Sequence, residues 1–126
     1  MISVPKGLLK LAALRMLSES SLSGADLQNQ IIRRSGGEWR PGPGSIYFIL
    51  KELLKKALIV ELPRRGGTTR RYVISTKGRE ELSRLSGEAD SEVSKLLKLL
   101  SLYSTLAGRE KLHTKVAGLV DELTHN

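Results

Sequence analysis

Trp39-Arg40-Pro41-Gly42-Pro43-Gly44-Ser45-Ile46-Tyr47-Phe48-Ile49-Leu50-Lys51, running on through Glu52 to Ala57, passes from turn chemistry to helix chemistry within a few residues. The prolines and glycines at 41–44 forbid a continuous helix before them, while Pro43 presets a φ suited to a first helical turn. Ile46, Leu50, Leu53 and Ala57 then recur at the spacing of one helical face, flanked by Ile49 and Leu54, so this face is expected to be buried. Tyr47, Phe48, Lys51, Glu52 and Lys55 project away from it. Two aromatic rings and two lysines on the free face of a sharply started helix mark a docking surface, and residues 44–57 are read as a DNA-reading helix.

The flanking segments give that helix a context. Upstream, Pro5 sits where a first helical turn can begin, and Leu8 to Leu17 form a broad apolar helix ending near Ser18–Ser20. Ser23-Gly24-Ala25-Asp26 has the capping-box form, and a short helix with Leu27 and Ile31 on its buried edge is expected to stop at Ser35-Gly36-Gly37. Downstream, Leu58-Ile59-Val60-Glu61-Leu62 is a β-branched run of strand length, and Tyr72-Val73-Ile74 is its partner. Residues 63–71 between them make a basic, glycine-containing tip. Helix, helix, hairpin in this order is the winged helix-turn-helix arrangement, with the tip as the wing.

Charge follows the same division. Residues 40–79 carry ten basic side chains against Glu52 and Glu61, so the whole formal excess of +8 sits in the middle third of the 126-residue chain. A concentrated basic patch interleaved with aromatics is the footprint of a polyanion binder, and charge alone leaves that reading level with a merely solvated face. The excess coincides with the two elements that would face DNA, and this favours the binder.

An apolar content of 40% with 27% charged residues fits one folded domain with an appendage. The absence of cysteine removes disulfides, thiol catalysis and cysteine-ligated metals. The N-terminus has no signal-length apolar run and no segment approaches a membrane span, so the chain is expected in the cytoplasm without a membrane partner. Gly42-Pro43-Gly44-Ser45 lacks the Gly-Lys-Ser/Thr ending of a nucleotide loop. His113 and His125 stand outside any metal or catalytic motif. No enzyme, metal or cofactor is expected.

From Ser75 on the chain turns helical again, with Gly87 able to interrupt and Gly108 marking a break. Val93, Leu96, Leu97, Leu100, Tyr103 and Leu106 form an apolar stripe widened by Leu99 and Leu102, and Leu112, Val116, Leu119, Val120 and Leu123 form another. This is more apolar surface than a small winged helix covers, and a homodimer is its simplest partner. The expected organisation is a winged helix over residues 1–78 and C-terminal dimerisation helices over 79–126, mainly α with a small β-hairpin. A pocket between paired helices is a place for an apolar small-molecule effector, although Leu and Val there equally suit plain packing.

With these residues in place the chain resembles the PadR family of transcriptional regulators, in its short type. The resemblance rests on Leu22-Ser23-Gly24, on Trp39-Arg40-Pro41 leading into Gly44-Ser45-Ile46-Tyr47, on the passage from Leu50 to Ile59, and on Arg70-Arg71-Tyr72-Val73-Ile74-Ser75-Thr76-Lys77-Gly78. It implies a dimeric winged-helix repressor whose C-terminal helices pair, whose third helix lies in the major groove and whose wing approaches the minor groove. Two departures stand out. Ala25-Asp26 replaces the family's usual tyrosine and glutamate, so no contact from that tyrosine carries over, and Phe48 replaces a usual proline. A phenylalanine at 48 can touch thymine methyls or pack against a neighbouring element of the dimer, and packing is the commoner fate of an aromatic ring.

The candidate DNA contacts are Ser45 and Tyr47 in the first turns of the reading helix, Lys51 and Lys55 farther along it, and Arg64, Arg65, Arg70 and Arg71 on the wing. Trp39 is read as the anchor that fixes the approach to the reading helix, ahead of a role in stacking on an effector. The rivals to a sequence-specific regulator are a non-specific architectural DNA-binding protein and a winged-helix module that binds another protein and no nucleic acid.

Overall fold

The computed structural model describes the backbone of residues 2–125 and the side chains of residues 2–123, so the side chain of His125 lies outside the described residues. Helices α1 (Leu8–Glu19), α2 (Gly24–Arg34) and α3 (Pro43–Lys55) precede the hairpin of a small sheet, and α4 (Thr76–Leu106) and α5 (Glu110–His125) follow it. The sheet has strands β1 (Leu22–Ser23), β2 (Ile59–Glu61) and β3 (Arg71–Ile74) in the order β1-β3-β2, all antiparallel. The expected hairpin is therefore two thirds of a sheet, and the third strand is the residue pair just before α2. The chain divides into two compact units, Met1–Leu85 and Ser86–Asn126.

In the first unit, α1 contributes Ala13, Leu14, Met16 and Leu17 to the core, α2 Leu27 and Ile31, and α3 Ile46, Leu50 and Leu53. Leu58, Ile59, Tyr72, Ile74 and Leu82 close it from the sheet side and from the first turns of α4. Helix α1 starts at Leu8 rather than near Pro5, after Gly7 at φ 90°.

The helix ends follow one backbone rule. After α2, Gly37 N–H donates to Ile32 O and Gly36 N–H to Arg33 O; after α4, Arg109 N–H donates to Ser104 O and Gly108 N–H to Thr105 O. Both are Schellman endings with a left-handed glycine. Helix α3 closes identically, with Leu58 N–H to Leu53 O and Ala57 N–H to Leu54 O, but the left-handed residue is Ala57 at φ 60°. Ala57 is thus exposed and outside the helix, which corrects its expected place on the buried face and moves the bounds from 44–57 to 43–55.

Helix α4 is seated on the sheet by Ser75, whose hydroxyl donates to Ala57 O at 2.7 Å and accepts from Gly78 N–H at 3.0 Å. A Cβ on Gly78 would lie 1.9 Å from Leu58 O, so only glycine admits this approach. The helix runs unbroken through Gly87 and ends before Gly108.

In the second unit, Ser104 and Val116 are buried, and Ser94, Leu97 and Ser101 on one side of α4 are half-buried, as are Leu112, His113, Ala117 and Val120 of α5. His113 Nδ1 lies 2.7 Å from Thr105 Oγ1 and 3.0 Å from Ser101 O, which ties the start of α5 to the end of α4. Val116 is therefore taken up by the chain's own packing instead of facing a partner. The opposite side of α4 is bare, with Leu96, Leu99, Tyr103 and Leu106 from 49% to 76% exposed.

Candidate nucleic-acid interface

Three elements build this surface, and each is held by chemistry that the sequence dictates locally. Helix α2 is started by a reciprocal box: Asp26 N–H donates to Ser23 Oγ at 3.1 Å and Ser23 N–H donates to Asp26 Oδ2 at 3.3 Å. The Ser23 amide and hydroxyl hold the Asp26 carboxyl below its ordinary range, with the Arg71 guanidinium adding to the effect. The shorter aspartate thus performs the capping for which a glutamate is the usual choice.

The connection from α2 to α3 is pinned at several points. Ser35 Oγ accepts from Trp39 N–H at 2.9 Å, the Trp39 ring packs against the core, and Gln28 Nε2 donates to Pro41 O at 2.8 Å. Trp39 accordingly anchors the approach to α3, and Pro43 sits in its first turn. Arg40 is turned back on the connection, its Nε donating to Gly37 O.

With Ile46, Leu50 and Leu53 buried, α3 presents Gly44, Tyr47, Phe48, Lys51 and Lys55 along one exposed stripe, with Ser45 exposed at its edge and Glu52 half-buried. Tyr47 is 69% and Phe48 63% exposed, so neither ring packs into the protomer. A groove runs beside the stripe, lined by Gly24, Ala25 and Gln28 of α2, Ile46 and Tyr47 of α3, and Thr69, Arg70 and Tyr72 of the wing arm. Tyr47 and Arg70, 23 residues apart in sequence, therefore share one depression. Gln28 and Thr69 join this surface unanticipated; the signal for Gln28 was its place one turn beyond Gly24, flanking the buried edge of α2 that Leu27 and Ile31 form.

The wing arginines divide into two kinds. Arg64, Arg65 and Arg70 lie on the exposed loop between β2 and β3, where Glu61 draws Arg70 Nε to 3.5 Å and Arg64 Nη2 to 4.0 Å. Arg71 is instead committed to the protein. Its Nη2 donates to Ser21 O at 2.7 Å and its Nη1 meets Asp26 Oδ2 at 3.2 Å, beside the β1–β3 pairing of Ser23 with Arg71. It fastens the wing strand to the start of α2.

A helix pair whose second member is bare on one face, followed by a sheet carrying an arginine-rich arm, defines a winged-helix protein. The model of the transcriptional regulator PadR-like family matches residues 13–84, more than half of the chain, and the protein belongs to that family. Among solved structures it is similar to a transcriptional regulator from Clostridium thermocellum, with 17% identity over 78% of this chain and 97% of the other and a TM-score of 0.71. A PadR-like transcriptional regulator from Bacillus cereus shares 24% identity over 75% and 93% of the two chains, with a TM-score of 0.65. PadR of Bacillus subtilis in complex with operator DNA shares 20% identity over 94% and 96%, with a TM-score of 0.54. At these identities the likeness is one of fold. No curated protein matches the sequence.

Proposed function

We propose that the protein is a sequence-specific DNA-binding repressor that acts as a homodimer in the cytoplasm, and not an enzyme. The observation that carries this reading is the shared groove: the free face of α3 and the arm of the wing open on the same side, within the third of the chain that holds the entire +8. A merely solvated basic face needs no such alignment and no exposed rings. The operator-bound state of the Bacillus subtilis protein supports the same use of this fold.

In this reading the N-terminal turns of α3 enter the major groove, where the amides of Gly44 and Ser45 and the Ser45 hydroxyl meet phosphate or a base edge. Tyr47 and Lys51 read bases, and Lys55, Arg64, Arg65 and Arg70 take backbone or minor-groove positions. Arg71 contributes by holding the wing in place. Pairing through the bare side of α4 sets two reading helices on half-sites roughly 34–36 Å apart, and occupation of that DNA excludes the transcription machinery.

A DNase footprint on the DNA upstream of its own gene tests this directly. Protection of a pseudo-palindrome is expected, and Tyr47→Ala or Lys51→Ala should reduce binding to it more than binding to unrelated DNA. Equal protection of all fragments would favour the architectural alternative, because both modes weaken with salt but only a regulator keeps a large preference for one site.

A further inference from the structure

We infer that Phe48 is a specificity residue that reads the 5-methyl group of a thymine in each operator half-site. The inference rests on the DNA-binding reading above and deepens it.

Phe48 stands on the α3 stripe one turn before Lys51 and two before Lys55, and it is 63% exposed in the protomer. The helical turn rotates it about 100° from Tyr47, and it does not line the groove that Tyr47 shares with the wing. Its ring therefore stands outside that groove. Side chains on a helix lean toward the N-terminus and cover the turn before their own Cα. The residue in that place is Gly44, which has no side chain, and among the described residues a Cβ built there meets nothing within 4 Å beyond its own stretch of helix backbone. The ring thus has open space over the turn that enters a groove first.

Charge decides the occupant. A second copy meeting this face with its own would bring one basic third against another, whereas DNA brings phosphates to Lys51, Lys55 and the wing arginines. A phenyl ring has no hydrogen-bonding atom, and the one apolar feature on the major-groove edges of the four bases is the thymine methyl. Contact between the two removes both from water.

The experiment uses an operator recovered by selection of genomic fragments with the full-length protein, resynthesised with uracil in place of each thymine in turn. Uracil keeps every hydrogen-bonding group and lacks only the methyl. For the wild type, one position per half-site should lose about fourfold in affinity, the worth of one buried methyl-sized group. Phe48→Ala should show no loss at that position, and Phe48→Leu, which keeps an apolar surface, should restore it. Unchanged folding of both variants is verified by their melting temperatures. Uracil tolerated equally everywhere, with operator preference intact, overturns the role of Phe48 and leaves the regulator reading standing. A shift of Phe48→Ala from dimer to monomer in sedimentation also overturns it, in favour of packing between protomers. Failure of the wild type to select any fragment overturns both readings together.

Discussion

Two residues in this protein carry energy that substitution can reveal. Ala57 occupies the left-handed position of a Schellman ending at φ 60°, where a Cβ crowds its own backbone. Ala57→Gly relieves that strain and returns part of the gain as unfolded-chain entropy, so a net stabilisation of about 1 kcal/mol is expected. A rise in the urea midpoint with unchanged slope checks it. Glu81 gives a pH signature. Arg84 Nε at 2.6 Å and Lys10 Nζ at 2.7 Å pull its carboxyl from 4.5 down to about 2, Arg84 contributing most. The folded value is the lower one, so the stabilisation is complete above pH 4.5 and fades as pH falls toward 2. Glu81→Gln should therefore lower the urea midpoint at pH 7, and the gap from the wild type should close as the solution is acidified toward pH 2. A gap that persists there would mean that Glu81 acts through packing alone.

At the scale of elements, the fastening of wing to helix is the arrangement to probe. Asp26 both closes the capping box of α2 and receives Arg71, so one carboxylate sets the start of the first helix of the pair and the seat of the wing strand. Arg71→Ala and Asp26→Asn should each weaken operator binding by about tenfold, the scale of a lost hydrogen bond to a charged group. The double variant should lose less than the two single losses combined, since both remove the shared Arg71–Asp26 tie while only Arg71→Ala also removes the bond to Ser21 O. The dependence of log affinity on log salt should keep its slope for Arg71→Ala, whereas loss of a phosphate contact lowers it by about one. A lower slope would return Arg71 to the DNA-contacting set.

That pair also shows where the sequence was legible and where it was not. The start and buried face of α3 could be read, because proline, glycine and a repeat of three and four residues are local signals. Its end could not: Ala57 falls on the right period, and only the backbone reveals the Schellman turn. Strand β1 is two residues long, too short for alternation to register. The passage of α4 through Gly87 was undecidable, since an isolated glycine costs a helix only about 1 kcal/mol. Ser45, Tyr47, Lys51 and Lys55 were visible as an exposed face, but an arginine's spacing does not tell whether it meets phosphate or its own chain. Arg71 does the latter.

For the whole molecule, the question is what covers the second unit. An apolar stripe in sequence does not say whether its cover comes from the same chain, and here both kinds occur. Helix α5 lies with the serine side of α4, which buries Ser104 and Val116, and leaves Leu96, Leu99, Tyr103 and Leu106 in solvent. Four large side chains at that spacing form one continuous face, and the positive charge of the chain is concentrated elsewhere, in residues 40–79. A second copy of the same face can therefore approach without strong repulsion and bury it across a two-fold axis. Leu96→Glu combined with Leu106→Glu places two charges on that face. Because both positions are already exposed in the protomer, the fold should survive, while sedimentation should report a monomer. Operator affinity should then fall by about a hundredfold or more, because the second reading helix is no longer tethered beside the first. Affinity for an isolated half-site should not change, since α3 and the wing are untouched. If the double variant remains a dimer, the two-fold contact lies on another face, and the stripe on α4 serves a different partner.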